Sequence, residues 1–134
     1  MQLTESPPIL VLPSRDRAYL GRVDARFEEL KEGAQAGLAL RGHQLPSGKF
    51  DSAIADVLFL LPPGYPDVPI DMFYLFPWVR LTSKGAYANA TDHPHSFAGR
   101  VWQRWSRHNP EWQPGKDGIW TMIARMNLAL RDAA

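Results

Sequence analysis

The middle of the chain contains a nine-residue block with four prolines and one glycine, Leu61-Pro-Pro-Gly-Tyr-Pro-Asp-Val-Pro69. Proline fixes its own φ and lacks the N–H that helices and central strands need, so this block is neither helix nor the middle of a sheet. It is predicted to be a stiff surface loop. The regular elements must therefore be built separately on either side of it.

Before this block, the pattern predicts one helix and two strands. Ser14 is a plausible N-cap, and apolar residues follow at helical spacing, which predicts a first helix over residues 15–31 that ends at Gly33. A short strand is predicted at 38–40, broken by Gly42. A second strand is predicted at 52–61 from its alternating pattern.

After this block, a strand is predicted at 72–76, with 78–81 extending it at an edge. Residues 82–99 show no periodicity and are predicted to be a long irregular loop, which in a compact domain is usually functional. Apolar residues at helical spacing predict a last helix over 117–132. The order indicates an α+β fold, with helices packed on an antiparallel sheet.

Composition excludes several classes of function. A length of 134 residues predicts a single domain, 1–134, with residues 1–13 as an extended N-terminal arm. The net charge of +1 does not favour nucleic acid or a membrane surface as a partner. No cysteine is present, which excludes disulfides and a thiol nucleophile. No apolar run is long enough to cross a bilayer and no signal peptide is recognisable, so we expect a cytoplasmic location.

The densest chemistry lies in one segment, Trp102-Gln-Arg-Trp-Ser-Arg-His108. The Ser106 hydroxyl and the His108 imidazole are candidates for a nucleophile and its base. The Arg104 and Arg107 guanidinium groups can bind an anion through forked hydrogen bonds. The alternative is structural, because tryptophans usually supply packing area and neighbouring arginines usually cover it.

Two other functions use some of the same residue types. Zinc has suitable candidate ligands in Asp92, His93, His95 and His108, but their spacing matches no established signature, so no metal and no cofactor is predicted. The arginines near Trp102 and Trp105 are residue types that bind single-stranded nucleic acid, yet the rest of the chain is not basic.

Three sequence blocks together resemble the ubiquitin-conjugating enzyme superfamily. They are Pro62-Pro-Gly-Tyr-Pro-Asp-x-Pro-x-Asp-Met-Phe73, the segment 102–108 and Trp112-x-Pro-Gly-x-Asp117. More specifically, these blocks resemble the bacterial branch encoded beside ubiquitin-like proteins, an adenylating activating enzyme and a metallopeptidase. The resemblance implies a ubiquitin-conjugating-enzyme-like fold. It implies a ubiquitin-like protein and the activating enzyme as partners, with the pathway metallopeptidase as a further candidate.

Departures from the family pattern leave two interpretations of activity. The typical His-Pro-Asn tripeptide reads His93-Pro94-His95 here, and Trp102 stands three residues after Gly99, near where the acceptor cysteine is expected. One interpretation is a carrier in which Ser106 accepts the acyl group as an oxyester, His108 is the base, and Arg104 and His95 face the oxyanion. The other is a catalytically inactive variant that binds a ubiquitin-like protein or the activating enzyme as a scaffold.

The resemblance also implies a docking face for the activating enzyme. That face comprises the first helix and the loops around Pro63 and Trp78. Four arginines make the helix region basic, Arg15, Arg17, Arg22 and Arg26. Charges at the rim of an interface mainly govern association rate and salt dependence.

Overall fold

Two helices and one six-stranded antiparallel sheet are formed by the residues that the computed structural model describes, 12–108 and 111–134. The helices are α1 Ser14–Arg22 and α2 Ile119–Asp132. The strands are β1 Phe27–Glu32, β2 Gln35–Gln44, β3 Ile54–Leu61, β4 Phe73–Phe76, β5 His93–Phe97 and β6 Arg100–Trp105. Their order in the sheet is β1-β2-β3-β4-β6-β5. The predicted α+β fold, an antiparallel sheet with an N-terminal and a C-terminal helix, is confirmed.

The prediction of a first helix over 15–31 is wrong beyond residue 22. Asp24 has a φ of 52°, which ends the helical path, and β1 then pairs with β2 from Phe27↔Leu40 to Glu32↔Gln35. Strand β2 is longer than predicted, since it continues past Gly42 with a register shift between Leu40 and His43. Non-local pairing thus overrides a helical pattern in residues 23–31. The predicted arm lies outside the described residues as far as residue 11.

The prediction that residues 82–99 form an irregular loop is wrong at its end. Residues 93–97 form β5, which pairs with β6 in register from His93↔Arg104 to Phe97↔Arg100. The hairpin turn consists of Ala98 and Gly99, with φ values of 51° and 77°. Two consecutive positive φ angles are typical of the turn that matches the twist of paired strands.

The sheet buries two separate hydrophobic clusters. Both helices contribute to the larger one, where Leu20 of α1 and Met126 of α2 pack with Phe59 and Trp105. The smaller one contains no residue of either helix and is centred on Trp102, Tyr74 and Leu58. No helix within the described ranges is long and apolar enough to span a bilayer.

The β5–β6 hairpin folds back over the smaller cluster. Phe97, which is 1% exposed, lies against Gly37 of β2, and the Ala98 N–H donates to the Glu32 carboxylate of β1 at 3.2 Å. A Cβ added at Gly37 would lie 2.9 Å from Leu58 Cδ1 and 2.9 Å from Phe97 Cε2. The absence of a side chain at Gly37 therefore allows the sheet to curl this tightly.

A buried amide holds the chain that follows β4. Gln103 is 0% exposed, and its side chain accepts the Val79 N–H at 2.9 Å and donates to the Val79 carbonyl at 3.0 Å. The predicted edge strand over 78–81 is wrong, because these residues do not extend β4. They are instead held by this side-chain clamp and by an isolated bridge between Leu81 and Phe50.

A second buried polar contact joins α1, the proline-rich loop and α2. The Asp16 carboxylate, 1% exposed, accepts the Tyr65 hydroxyl at 2.6 Å and lies 3.5 Å from the Ile119 N–H that it caps. Burial raises the pKa of Asp16, while the hydrogen bond from Tyr65 opposes that rise. Burial and the neighbouring carboxylate also raise the pKa of Tyr65.

Gly37→Ala is expected to lower the free energy of unfolding by about 1–3 kcal/mol, because its methyl group enters a filled cluster. Gly21→Ala is the matched control, since nothing lies within 4 Å of a Cβ at Gly21, which is in α1. The control should be neutral or stabilising by about 0.5–1 kcal/mol. Chemical denaturation measures both, and equal stability of the two variants would contradict the packing of Phe97 on Gly37.

Tyr65→Phe is expected to cost about 1–3 kcal/mol at pH 7, because it leaves the buried Asp16 carboxylate without its hydroxyl donor. That donor favours the ionised form of Asp16, so the cost should shrink as pH falls and the carboxyl group becomes protonated. Denaturation at pH 7 and pH 4 tests this. Tyr87→Phe, which removes an exposed hydroxyl, is the control and should change little at either pH.

Candidate functional site

The predicted nucleophile, Ser106, is the first residue after β6. Its backbone N–H donates to the Ala90 carbonyl at 3.0 Å, and the residue is half-buried. Within residues 12–108 and 111–134, nothing hydrogen-bonds to the Ser106 hydroxyl, His108 included. The main chain at Ser106 is therefore held in place, whereas no hydrogen bond among the described residues joins the predicted nucleophile to the predicted base.

The predicted base, His108, has a carboxylate partner. Its Nδ1 lies 2.9 Å from Asp71 Oδ1, and both side chains are exposed to solvent, at 64% and 57%. When a carboxylate accepts the Nδ1–H of an imidazole, it fixes the ring and leaves Nε2 available as a proton acceptor. Asp71 is thus a partner that can hold the His108 ring with Nε2 unoccupied.

Asp71 is not among the residues selected from the sequence, because its signal is the strand register of the structure. Strand β4 pairs with β6 in the register Phe73↔Trp105. Extending this antiparallel register by two positions places Asp71 opposite Arg107, next to His108. Pairing of these strands could not be derived from local pattern alone, because β5 lies between them in the sequence.

The predicted oxyanion groups, His95 and Arg104, lie on neighbouring strands. His95 is opposite Trp102, and Arg104 is between His93 and Tyr74, so the two side chains are diagonal neighbours on one face. The His95 and Tyr74 rings are 4.9 Å apart. His95 Nε2 and Arg104 Nε are buried without a hydrogen-bond partner among the described residues. Buried polar atoms of this kind are costly unless something binds them.

The residue near the expected cysteine position, Trp102, is buried. Trp102 is 0% exposed, and its indole N–H donates to the Phe97 carbonyl at 3.0 Å. Trp105 is also 0% exposed and stacks on Phe73, with ring centroids 5.4 Å apart. Neither indole is available to stack on a nucleic-acid base, which removes the basis for the nucleic-acid alternative.

Arg107 holds the backbone around the candidate nucleophile. Its guanidinium group donates to the Ser106 carbonyl at 3.1 Å and to the Asn89 carbonyl at 3.1 Å. It lies 5.2 Å from the centre of the Trp105 ring, and desolvation lowers its pKa. Arg107 is therefore partly committed to structure, with further N–H donors left for a ligand.

The candidate zinc ligands do not converge. His93 Nδ1 lies 3.3 Å from Asp92 Oδ1, while His108 pairs with Asp71 on the other side of β6. In the part of the chain that is described, no three histidine or carboxylate side chains form a group that could hold a metal ion.

A protein-family model, prokaryotic E2 family E, matches residues 12–133. The chain belongs to this family. Since E2 denotes the ubiquitin-conjugating enzymes, the resemblance to that superfamily is confirmed. Membership implies interaction with a ubiquitin-like protein or with an activating enzyme. Comparison with curated proteins and with solved structures gives no match.

The four arginines of the face that is predicted to contact the activating enzyme have different surroundings. Arg15 lies over Trp120 at 5.0 Å and Arg22 over Tyr19 at 5.7 Å, so these cations stack on an aromatic patch. Arg17 is paired with Glu29. Arg26 lies outside the helix because α1 ends at Arg22. Arg15 and Arg22 are thus the better candidates for contact with a partner.

The two predicted docking loops differ in their relation to α1. The proline-rich loop is joined to α1 by the Tyr65–Asp16 hydrogen bond. Trp78 instead donates to the Val101 carbonyl at 3.0 Å and packs on Tyr87 at 5.6 Å. Only the first loop is linked to α1 by a described side-chain contact.

Proposed function

We propose that this E2 family member carries the C-terminal acyl group of a ubiquitin-like protein as an oxyester on Ser106. The observation that supports this most is the Asp71–His108 pair at 2.9 Å, two residues from Ser106 and at the same end of β6. In a chain without cysteine, this sets a hydroxyl two residues in sequence from an imidazole that contacts a carboxylate.

The proposed reaction transfers the acyl group from the activating enzyme. Ser106 Oγ attacks the carbonyl carbon of the activated acyl group while its proton passes to His108 Nε2. The bond to the leaving group, an adenylate phosphate or an enzyme thiolate, then breaks, and the leaving group departs with the electron pair. Arg104 and His95 face the oxyanion during attack. The hydrogen bond between a nucleophile and its base is often long in an enzyme without substrate and shortens when substrate binds.

A second candidate function is the inactive binding module. It is favoured by the missing hydrogen bond between Ser106 and His108 and by the burial of Trp102 near the expected thiol position. Such a module would bind the ubiquitin-like protein or the activating enzyme without forming a covalent bond. We expect the pathway to include the metallopeptidase predicted from the resemblance.

Ser106→Ala is expected to abolish the adduct formed with an activating enzyme, a ubiquitin-like protein and ATP. His108→Ala should slow its formation by about one hundred- to ten-thousand-fold if proton removal is its main role. Asp71→Asn should slow it too, because the imidazole loses the acceptor that fixes Nδ1–H. Intact-mass spectrometry measures the adduct, which should survive thiol reductants and be cleaved by hydroxylamine.

Ser96→Ala, in the exposed part of β5, is the matched control and should form the adduct at the normal rate. An adduct undiminished in Ser106→Ala would place the acyl group elsewhere. Binding of the ubiquitin-like protein with no adduct under any condition would establish the inactive module instead.

Reversal of Arg15 and Arg22 to Glu is expected to weaken binding to the activating enzyme at low salt, mainly through a slower association rate. Arg131→Glu is the control, since its side chain is 71% exposed at the far end of α2. Surface plasmon resonance at two salt concentrations separates rate from affinity. Unchanged association at low salt would show that the docking face lies elsewhere.

A further inference from the structure

Ala90 has a backbone conformation that alanine rarely adopts. Among the residues that the structure describes, three other than glycine have a positive φ: Asp24, Ala90 and Ala98. Asp24 follows the end of α1, and Ala98 belongs to the β5–β6 hairpin turn. Ala90, with a φ of 57°, lies in a separate turn, residues 88–91, here called the anchor turn. Left-handed conformations are costly for alanine and persist where surrounding contacts enforce them, often at functional sites.

Contacts from three sources hold the anchor turn in place. The Asn89 N–H donates at 3.0 Å to the carbonyl of Ala134, beyond the last turn of α2. The Asn89 carbonyl accepts the Arg107 guanidinium at 3.1 Å. The Thr91 hydroxyl, in a residue that is 0% exposed, donates to the Ala88 carbonyl at 2.8 Å. These contacts fix both sides of Ala90 and so enforce its conformation.

The anchor turn in its place holds Ser106. The Ala90 carbonyl accepts the Ser106 N–H at 3.0 Å. Arg107, which donates to the turn, also donates to the Ser106 carbonyl at 3.1 Å. Rotation about the Ala90 φ would swing the Ala90 carbonyl away from the Ser106 N–H. The position of Ser106 therefore depends on a backbone conformation that the alanine side chain disfavours.

We propose that Ala90 and Arg107 are positioning residues for the Ser106 nucleophile and act through the anchor turn. Ala90 directs the carbonyl that holds the Ser106 N–H, and Arg107 joins the Ser106 carbonyl to the turn. A nucleophile on a fixed backbone reacts faster, because less orientational freedom is lost during attack. The role in the reaction rests on the proposed function, whereas the anchoring of Ser106 does not.

Ala90→Val tests this role through the backbone alone, because Ala90 is exposed and the added methyl groups enter solvent. A β-branched residue resists a positive φ more strongly than alanine does, so the anchor turn should open more often. The Ser106 amide should then exchange with solvent deuterium about tenfold faster, which is the scale of the left-handed penalty. Ala90→Gly, which adopts a positive φ freely, should leave the exchange rate near that of the wild type.

Ala98→Val is the matched control. Ala98 is also an exposed alanine, has a φ of 51°, and lies before β6, whereas Ser106 follows it. The same backbone penalty therefore acts at the opposite end of the same strand. The two valine variants should lose similar global stability, but Ala98→Val should leave the exchange of the Ser106 amide unchanged.

Arg107→Lys is a second variant that keeps the charge. A single ammonium lacks the planar fork that donates to the Asn89 and Ser106 carbonyls together, so the Ser106 amide should again exchange faster. Adduct formation should slow at saturating acyl donor, while the donor concentration that gives half the maximal rate stays constant. That division is expected of a group that positions the nucleophile and does not bind the donor. Arg131→Lys, at an exposed position of α2, is the control.

The outcomes separate this inference from the proposed function. Equal rises in Ser106 amide exchange in Ala90→Val and Ala98→Val would overturn the positioning role, even where the adduct forms. A normal rate of adduct formation in Ala90→Val, despite fast exchange, would overturn it as well. Fast exchange with slow adduct formation in Ala90→Val and Arg107→Lys, and normal behaviour in both controls, would support it. Fast exchange in Ala90→Val of a chain that never forms the adduct would support the anchoring and remove the carrier function.

Discussion

Strand β6 places one indole on each face of the sheet, and the rest of the fold depends on this arrangement. Trp102 fills the smaller cluster and Trp105 packs between Phe50 and Phe73 in the larger one. Burial of an aromatic side chain of this size is among the largest single contributions to folding. With both faces occupied, the register of β6 cannot slip by one residue, because a slip would exchange buried and exposed positions. The position of Ser106 at the end of the strand is fixed for the same reason.

Buried polar groups join the loops to this framework. Gln103, between the two indoles of β6, satisfies both backbone groups of Val79, so the chain after β4 is tied to the same strand. Asp16 connects α1 with the proline-rich loop and with the start of α2. Removal of one partner from either contact would be costly, because the remaining buried polar group would bond neither to protein nor to water. Segments without regular structure are therefore positioned by strand β6 and helix α1.

Local pattern predicted the elements whose contacts are regular and failed where partners are distant. Residues 119–132 repeat apolar side chains at helical spacing and are helical. Residues 23–31 carry a similar spacing but pair with β2, and Asp24 interrupts the helix through a conformation that the pattern does not reveal. The β5–β6 hairpin was missed because both faces of its strands mix polar with apolar residues, and because its turn is Ala98-Gly99, not Asn-Gly. Ser106 and His108 were selected from residue chemistry. Asp71 needed the strand register.

At this end of the sheet, the residues that stabilise the fold differ from those assigned to the proposed function. An exposed side-chain contact such as Asp71–His108 contributes about 0–1 kcal/mol to folding, whereas the adjacent buried indole contributes more. The segment that carries Ser106 is held by the Ser106 N–H, which donates to the Ala90 carbonyl, and by the Arg107 side chain, which donates to the Asn89 carbonyl. The Ser106, His108 and Asp71 side chains can therefore be changed without loss of the framework beneath them. Loss of activity in such variants would then report on chemistry, because the fold does not depend on them.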